Sequence, residues 1–134
     1  MRYLVIGCGK VGSRLAADLV NDGHDVNVVS SNADAFRRLP SDFPGQLVVG
    51  LPTEDEVLER AGAREADGMA AVTDDDNLNI MVAEVCRVRF GIRSVVARIY
   101  DVELASFYAG QGIRTVCPTV PVVAGVREAL AGDV

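Results

Sequence analysis

The sequence predicts an α/β fold: a doubly wound, six-stranded parallel sheet in the order 3-2-1-4-5-6, with helices on both faces. Three observations carry this expectation. Short apolar segments alternate with helix-periodic segments six times along 134 residues. The first apolar segment, Tyr3-Leu4-Val5-Ile6, runs straight into Gly7-Cys8-Gly9-Lys10-Val11-Gly12, and a helix-periodic stretch begins at Ser13. The connections are short, so consecutive strands must be joined by right-handed crossovers through the helices.

The elements follow in order. After strand one, Val11, Leu15, Leu19 and Val20 fall at helical spacing, and Asn21-Asp22-Gly23-His24 punctuates the helix end. Val26–Val29 reads as strand two. Asn32 is placed to cap a short helix carrying Ala35, Phe36 and Leu39, which Pro40 stops. Leu47–Val49 is strand three. Thr53 and Glu56 have the spacing of a capping box, with Thr53 as N-cap of a helix that presents Val57, Leu58 and Ala61. Met69–Thr73 is a small, apolar fourth strand, as a strand covered on both faces should be. A long helix is expected from about Asp76 to Phe90, burying Leu78, Val82, Val85 and Val88 and closing at Gly91. Ser94–Ile99 is strand five, followed by a helix from Asp101; Ile113–Val116 is strand six. Thr119 and Pro121 open a last helix ending near Ala131. Six strands in this arrangement make a complete Rossmann-like sheet, with its ligand crevice at the carboxyl ends of the strands.

Composition narrows the function. Apolar residues make up 49% and aromatics 5%, so the core is aliphatic. No apolar run approaches the roughly 20 residues of a membrane span, and the N-terminus enters a strand without signal-peptide anatomy. A net charge of −6 argues against a nucleic-acid surface. Cys8, Cys86 and Cys117 lack metal-type spacing and read as small buried apolar residues of a reducing cytosolic protein. Cys8 is open to a second reading, because a thiol at a helix N-terminus has a lowered pKa.

The ligand-bearing positions lie after each strand. In the G-x-G-x-x-G turn the first glycine allows the tight turn, the second lets backbone approach a pyrophosphate, and the third lets helix and strand pack closely. The N–H groups of Lys10 and Val11, at the positive end of the helix, then face the phosphates. After strand two a dinucleotide binder places Asp or Glu against the ribose; here the chain reads Ser30-Ser31-Asn32. These residues hydrogen-bond a ribose, or they serve only as turn and cap. They do not repel a 2′-phosphate, for which Arg37 or Arg38 supplies charge. Leu51 and Pro52 offer an adenine apolar contact, with Thr53 committed to capping. Thr73, Asp74 and Asp75 follow strand four, where the acids either cap the next helix or position a cation. Arg98 is either a phosphate partner or the partner of an acid such as Asp74 or Asp101.

Catalytic residues are not found. His24, the single histidine, lies in a turn at the amino end of strand two. Tyr100 and Tyr108 lack Tyr-x-x-x-Lys spacing, and no substrate domain accompanies the sheet to orient a second reactant. No catalytic group or metal site is therefore expected.

With those residues in place, the chain resembles the N-terminal RCK or KTN (TrkA-N) domain of the Trk/Ktr potassium-uptake regulators. The similar segments are Val5–Gly12, Gly23-His24-Asp25-Val26, Val57–Ala63, Ala66–Thr73, Asp76–Asn79 and Val96–Tyr100. The resemblance implies a cytoplasmic, non-enzymatic gating subunit, a homodimer or higher ring at the inner face of the membrane, attached to a potassium channel or transporter subunit. It implies a nucleotide ligand, NAD(H) or ATP/ADP, with AMP or NADP(H) as further candidates. Carried over, the ligand positions are Gly7, Gly9, Gly12, Ser30, Asn32, Leu51, Thr53, Thr73, Asp74 and Arg98. Residues 1–134 are expected to form this one domain, without the family's C-terminal RCK domain.

Two positions depart from the family pattern, which has Asp at Ser30 and commonly another at Leu51. One charged hydrogen bond forgone is about 1.5–3 kcal/mol, roughly ten- to a hundredfold in affinity. Weak or altered nucleotide selectivity is therefore expected. The rival readings are the cofactor domain of an NAD(P)-dependent oxidoreductase and a degenerate Rossmann module that only dimerises.

Overall fold

The computed structural model describes residues 1–132. Its strands are β1 (Arg2–Ile6), β2 (Asp25–Ser30), β3 (Leu47–Val49), β4 (Gly68–Ala71), β5 (Ser94–Arg98) and β6 (Arg114–Val116). Its helices are α1 (Lys10–Asn21), α2 (Asp55–Arg60), α3 (Asp76–Val88), α4 (Val102–Tyr108) and α5 (Thr119–Ala131), with 3-10 turns at Ala33–Arg38 and Ala63–Glu65. All strand pairs are parallel and the sheet order is β3-β2-β1-β4-β5-β6, as the alternating pattern predicts.

Period-two alternation sorts the apolar side chains into two layers. Leu4, Ile6, Met69, Ala71, Val95 and Ala97 point to the face covered by α2, α3 and α4, where Leu58, Val82 and Ala83 close the larger core. Val5, Val26 and Val28 point the other way, under Ala16 of α1 and Leu39 beyond the first 3-10 turn. Leu58 is fully buried, and a leucine so placed contributes about 1.5–3 kcal/mol. Cys86 belongs to the same core, where burial pushes its thiol up to about 12 and keeps it uncharged.

Three local expectations are corrected. Thr53 does not cap α2: the N-cap is Glu54, which makes no side-chain cap bond. Glu54 N–H donates to the Leu51 carbonyl at 3.1 Å, closing a turn that contains Thr53 and delays the helix start. The buried stripe of α3 is Asn79, Ile80, Val82, Ala83 and Cys86, with Leu78 and Val85 only at its margin. Val88, expected inside, is 69% exposed, because the stripe is turned to bring Asn79 inward. The fourth strand is not fully covered on both faces: Ala70 is only half-buried.

That last correction has a large-scale cause. α1 and the first 3-10 turn cover only the β1–β2 half of their face. The β4–β5–β6 half lies bare beside α1, as an apolar groove of about 380 Å³ lined by Val11, Leu15, Leu19, Ala70, Val96 and Val116. α5, which follows β6, does not fold back over it, and none of its residues is buried. Val120, Val122, Val123 and Val126 are all more than half exposed, and Leu130 is 81% exposed. Among the described residues no helix is long and apolar enough to cross a membrane.

Candidate functional site

β1 ends at Ile6, and Gly7 turns the chain with φ +103°, a conformation that favours glycine. Its N–H donates to the Val29 carbonyl at 2.8 Å, holding the turn over the end of β2. The third glycine sets the helix against the turn: a Cβ on Gly12 would lie 2.0 Å from the Gly7 carbonyl oxygen. Gly9 differs, since a Cβ there would meet nothing within 4 Å. It is the N-cap of α1 and supplies no side-chain cap. The first helical bond runs from Ser13 N–H to the Gly9 carbonyl at 2.9 Å. The N–H groups of Lys10, Val11 and Gly12 therefore have no partner within the helix. Open space at Gly9, in front of free N–H groups at the positive helix end, is the geometry that accepts a phosphate.

This cradle opens into a crevice of about 290 Å³ across the carboxyl ends of β1, β2 and β4. Gly7, Cys8 and Gly9 form one wall; Ser30, Ser31 and Arg38 form the second; Pro52, Thr73, Asp74 and Asp75 complete it. Ser30 Oγ accepts from Asn32 N–H at 3.1 Å and donates to the Asn32 carbonyl at 2.9 Å, so this hydroxyl shapes the turn. Asn32 caps the 3-10 turn, its Oδ1 accepting from Asp34 N–H at 3.0 Å. Leu51 is 54% exposed and, with Thr53, lies outside the crevice wall that Pro52 joins.

Cys8 corrects the reading of a lowered thiol pKa. Burial raises it, and the nearby Arg38 charge only partly offsets this. The thiol donates to the Ala35 carbonyl at 3.4 Å, fastening the glycine turn to the 3-10 turn.

The acids after β4 are each engaged differently. Asp75 caps α3, accepting from Leu78 N–H at 3.1 Å. Asp76 accepts from the N–H groups of Tyr100 at 2.8 Å and Asp101 at 3.0 Å, tying α3 to the loop after β5. Asp74 is exposed and lies 3.5 Å from Arg98 Nη2. Among the described residues no group of three His, Cys, Asp or Glu side chains is placed to hold a metal ion.

Arg98 is 6% exposed, and it faces the apolar groove rather than the phosphate crevice, because alternation along β5 puts it on the side of Val96. Its Nη2 donates to the Thr73 carbonyl at 2.6 Å, its guanidinium lies 4.8 Å from the Tyr100 ring centre, and its buried Nε has no partner. Of the two readings offered for it, the structure displays the pair with an acid, Asp74 at 3.5 Å. Val11 likewise lines the groove, leaving only its N–H at the cradle. His24 sits at the opposite end of the sheet, its ring packed edge-on to Tyr3.

Asn79 is a structural residue that the helical pattern conceals. Fully buried, its Oδ1 accepts from Thr73 N–H at 3.0 Å and Thr73 Oγ1 at 2.6 Å. Its Nδ2 donates to the carbonyls of Thr73 at 3.0 Å and Arg98 at 2.8 Å. It thereby locks the ends of β4 and β5 beside the crevice. The available signal was a polar residue one step from the apolar stripe, which hydropathy assigns to the surface.

Known proteins resemble this chain in sequence and fold. A Trk system potassium uptake protein TrkA from Streptomyces coelicolor is 45% identical over 116 residues, covering 87% of this chain and 52% of that relative. The chain thus spans about half the length of that relative. Among solved structures, the TrkA-N domain of the inner membrane protein ybaL from Escherichia coli superposes with TM-score 0.83 at 17% identity, covering 96% of each chain, which establishes the shared fold. GsuK bound to ADP superposes with TM-score 0.75 at 25% identity, covering 96% of this chain and 33% of that one. Residues 3–119 match the model of the TrkA-N domain, and the chain belongs to that family.

Proposed function

We propose that this domain is a cytoplasmic, nucleotide-sensing regulatory unit of a potassium channel or transporter, held at the inner face of the membrane through that partner. The observation that carries the reading is the vacant position at Gly9, facing unpaired N–H groups of α1. Membership of the TrkA-N family and likeness to GsuK, described with ADP bound, support a nucleotide as the occupant and potassium transport as the setting. The crevice wall offers Ser, Thr, Asp and Arg side chains but no histidine, tyrosine or lysine to serve a hydride-transfer step. That favours regulation over the oxidoreductase reading.

Thermal-shift titrations with NADH, NADPH, ATP, ADP and AMP test the proposal. A ligand at about a hundred times its Kd stabilises by roughly 2.7 kcal/mol, several degrees in Tm for a domain of this size. No shift with any of the five refutes nucleotide sensing and leaves the module that only dimerises. Hydride exchange with a small-molecule substrate refutes the regulatory reading.

The second part of the proposal is a homodimer in which α5 of each copy fills the bare groove of the other. The groove and the helix are both apolar and both uncovered within one chain, and mutual burial removes both liabilities. Light scattering should give twice the 14.2 kDa chain mass for the wild type and the single mass for Val123→Glu. A monomeric wild type at micromolar concentration overturns it.

A further inference from the structure

The end of β2 decides which nucleotide the crevice takes. We propose that Arg38, with Ser31, reads a phosphate on the ribose 2′ position, so that NADP(H) binds in preference to NAD(H). The inference rests on the nucleotide reading above and goes beyond it by naming the ligand.

A carboxylate at the end of β2 accepts from ribose hydroxyls and repels a 2′-phosphate; a nearby arginine does the reverse. In this chain the strand ends on Ser30, whose hydroxyl is already engaged with the backbone of Asn32. Between Ser30 and Leu39 the one acid is Asp34. It lies 3.9 Å from Arg37, and both are strongly exposed. Neither lines the phosphate crevice. Arg38 does, together with Ser30 and Ser31. Among the described residues Arg38 makes no ion pair, so its charge is available to a ligand.

Arg38 is exposed, on a backbone turn that is held in place. Leu39, its neighbour, is buried in the smaller core, and the Cys8 thiol bonds the Ala35 carbonyl of the same turn. Its charge acts on the Cys8 thiol inside the glycine turn, which puts the guanidinium within electrostatic reach of the cradle. A planar guanidinium on a held turn, next to an exposed Ser31 hydroxyl, suits bidentate recognition of a phosphate.

Calorimetric titration of the chain with NADPH and NADH, and with adenosine 2′,5′-bisphosphate and AMP, tests this directly. The 2′-phosphorylated member of each pair should bind about tenfold tighter or more. Arg38→Gln should bring both ratios to about one, and the neighbouring control Arg37→Gln should leave them unchanged. Ser30→Asp should reverse the preference. Equal or tighter binding of NADH by the wild type overturns the inference, as does a ratio that survives Arg38→Gln. Binding of NADH and ATP without a 2′ preference overturns this inference alone; absence of all nucleotide binding overturns the proposed function with it.

Discussion

Replacing Asn79 with leucine should lower the unfolding free energy by about 3 kcal/mol, because one buried and one part-buried backbone group lose their partners at about 1–3 kcal/mol each. The groups are Thr73 N–H and the Arg98 carbonyl. The Thr73 carbonyl keeps its bond from Arg98, and Thr73 Oγ1 has the Asp75 carbonyl at 3.4 Å as an alternative. Leucine has the same number of side-chain heavy atoms and the same branching as asparagine and is somewhat bulkier, so no cavity opens and the loss is chiefly polar. Asn77, on the exposed side of the same helix, provides the contrast: Asn77→Ala should stay within about 0.5 kcal/mol. Urea denaturation of the three proteins measures both. If Asn79→Leu lies within 1 kcal/mol of wild type, the lock between β4 and β5 is not what holds this end of the sheet. Nucleotide affinity should fall as well, since Thr73 and Asp74 form the crevice wall that the lock positions.

The second large effect separates folding from binding in the glycine turn. Gly12→Ala forces a methyl to 2.0 Å from the Gly7 carbonyl oxygen, backbone against backbone, with no flexible side chain to yield. The helix must back away from β1, at about 2–3 kcal/mol of stability, and the cradle geometry goes with it. Gly9→Ala places its methyl in open space, so the fold should tolerate it, at about 0.5–1 kcal/mol for a poorer N-cap. Nucleotide binding should nonetheless drop at least about a hundredfold, as the methyl occupies the phosphate position. Wild-type affinity in Gly9→Ala would place the phosphate elsewhere. Unimpaired stability in Gly12→Ala would show that helix and turn are not in tight register.

The contrast between these glycines shows which features are legible in one dimension. A G-x-G-x-x-G between an apolar strand and a periodic helix specifies its own geometry, because strand, turn and helix are neighbours in the chain. The strand order follows in the same way, since short right-handed crossovers leave few arrangements. The Asn32 cap was readable too, its partner being two residues away. Thr53 was misread by the same logic, because the competing turn from Leu51 to Glu54 offers the chain an alternative start. On α3 the hydrophobic pattern favoured Val88, while a buried hydrogen-bond network with partners 6 and 19 residues away drew Asn79 inward.

The sequence by itself determined the six-stranded sheet and the glycine turn, because each is written in local periodicity and in residues that touch their chain neighbours, while the family was legible as a resemblance of segments spread along the chain. Only the tertiary structure decided that Arg98 faces the groove and Arg38 the crevice, that burial raises the Cys8 thiol pKa, and that α5 leaves half a sheet face bare. Those outcomes depend on which distant segments share a surface. Solvent exclusion and charge pairing between such segments have no signature in residue order.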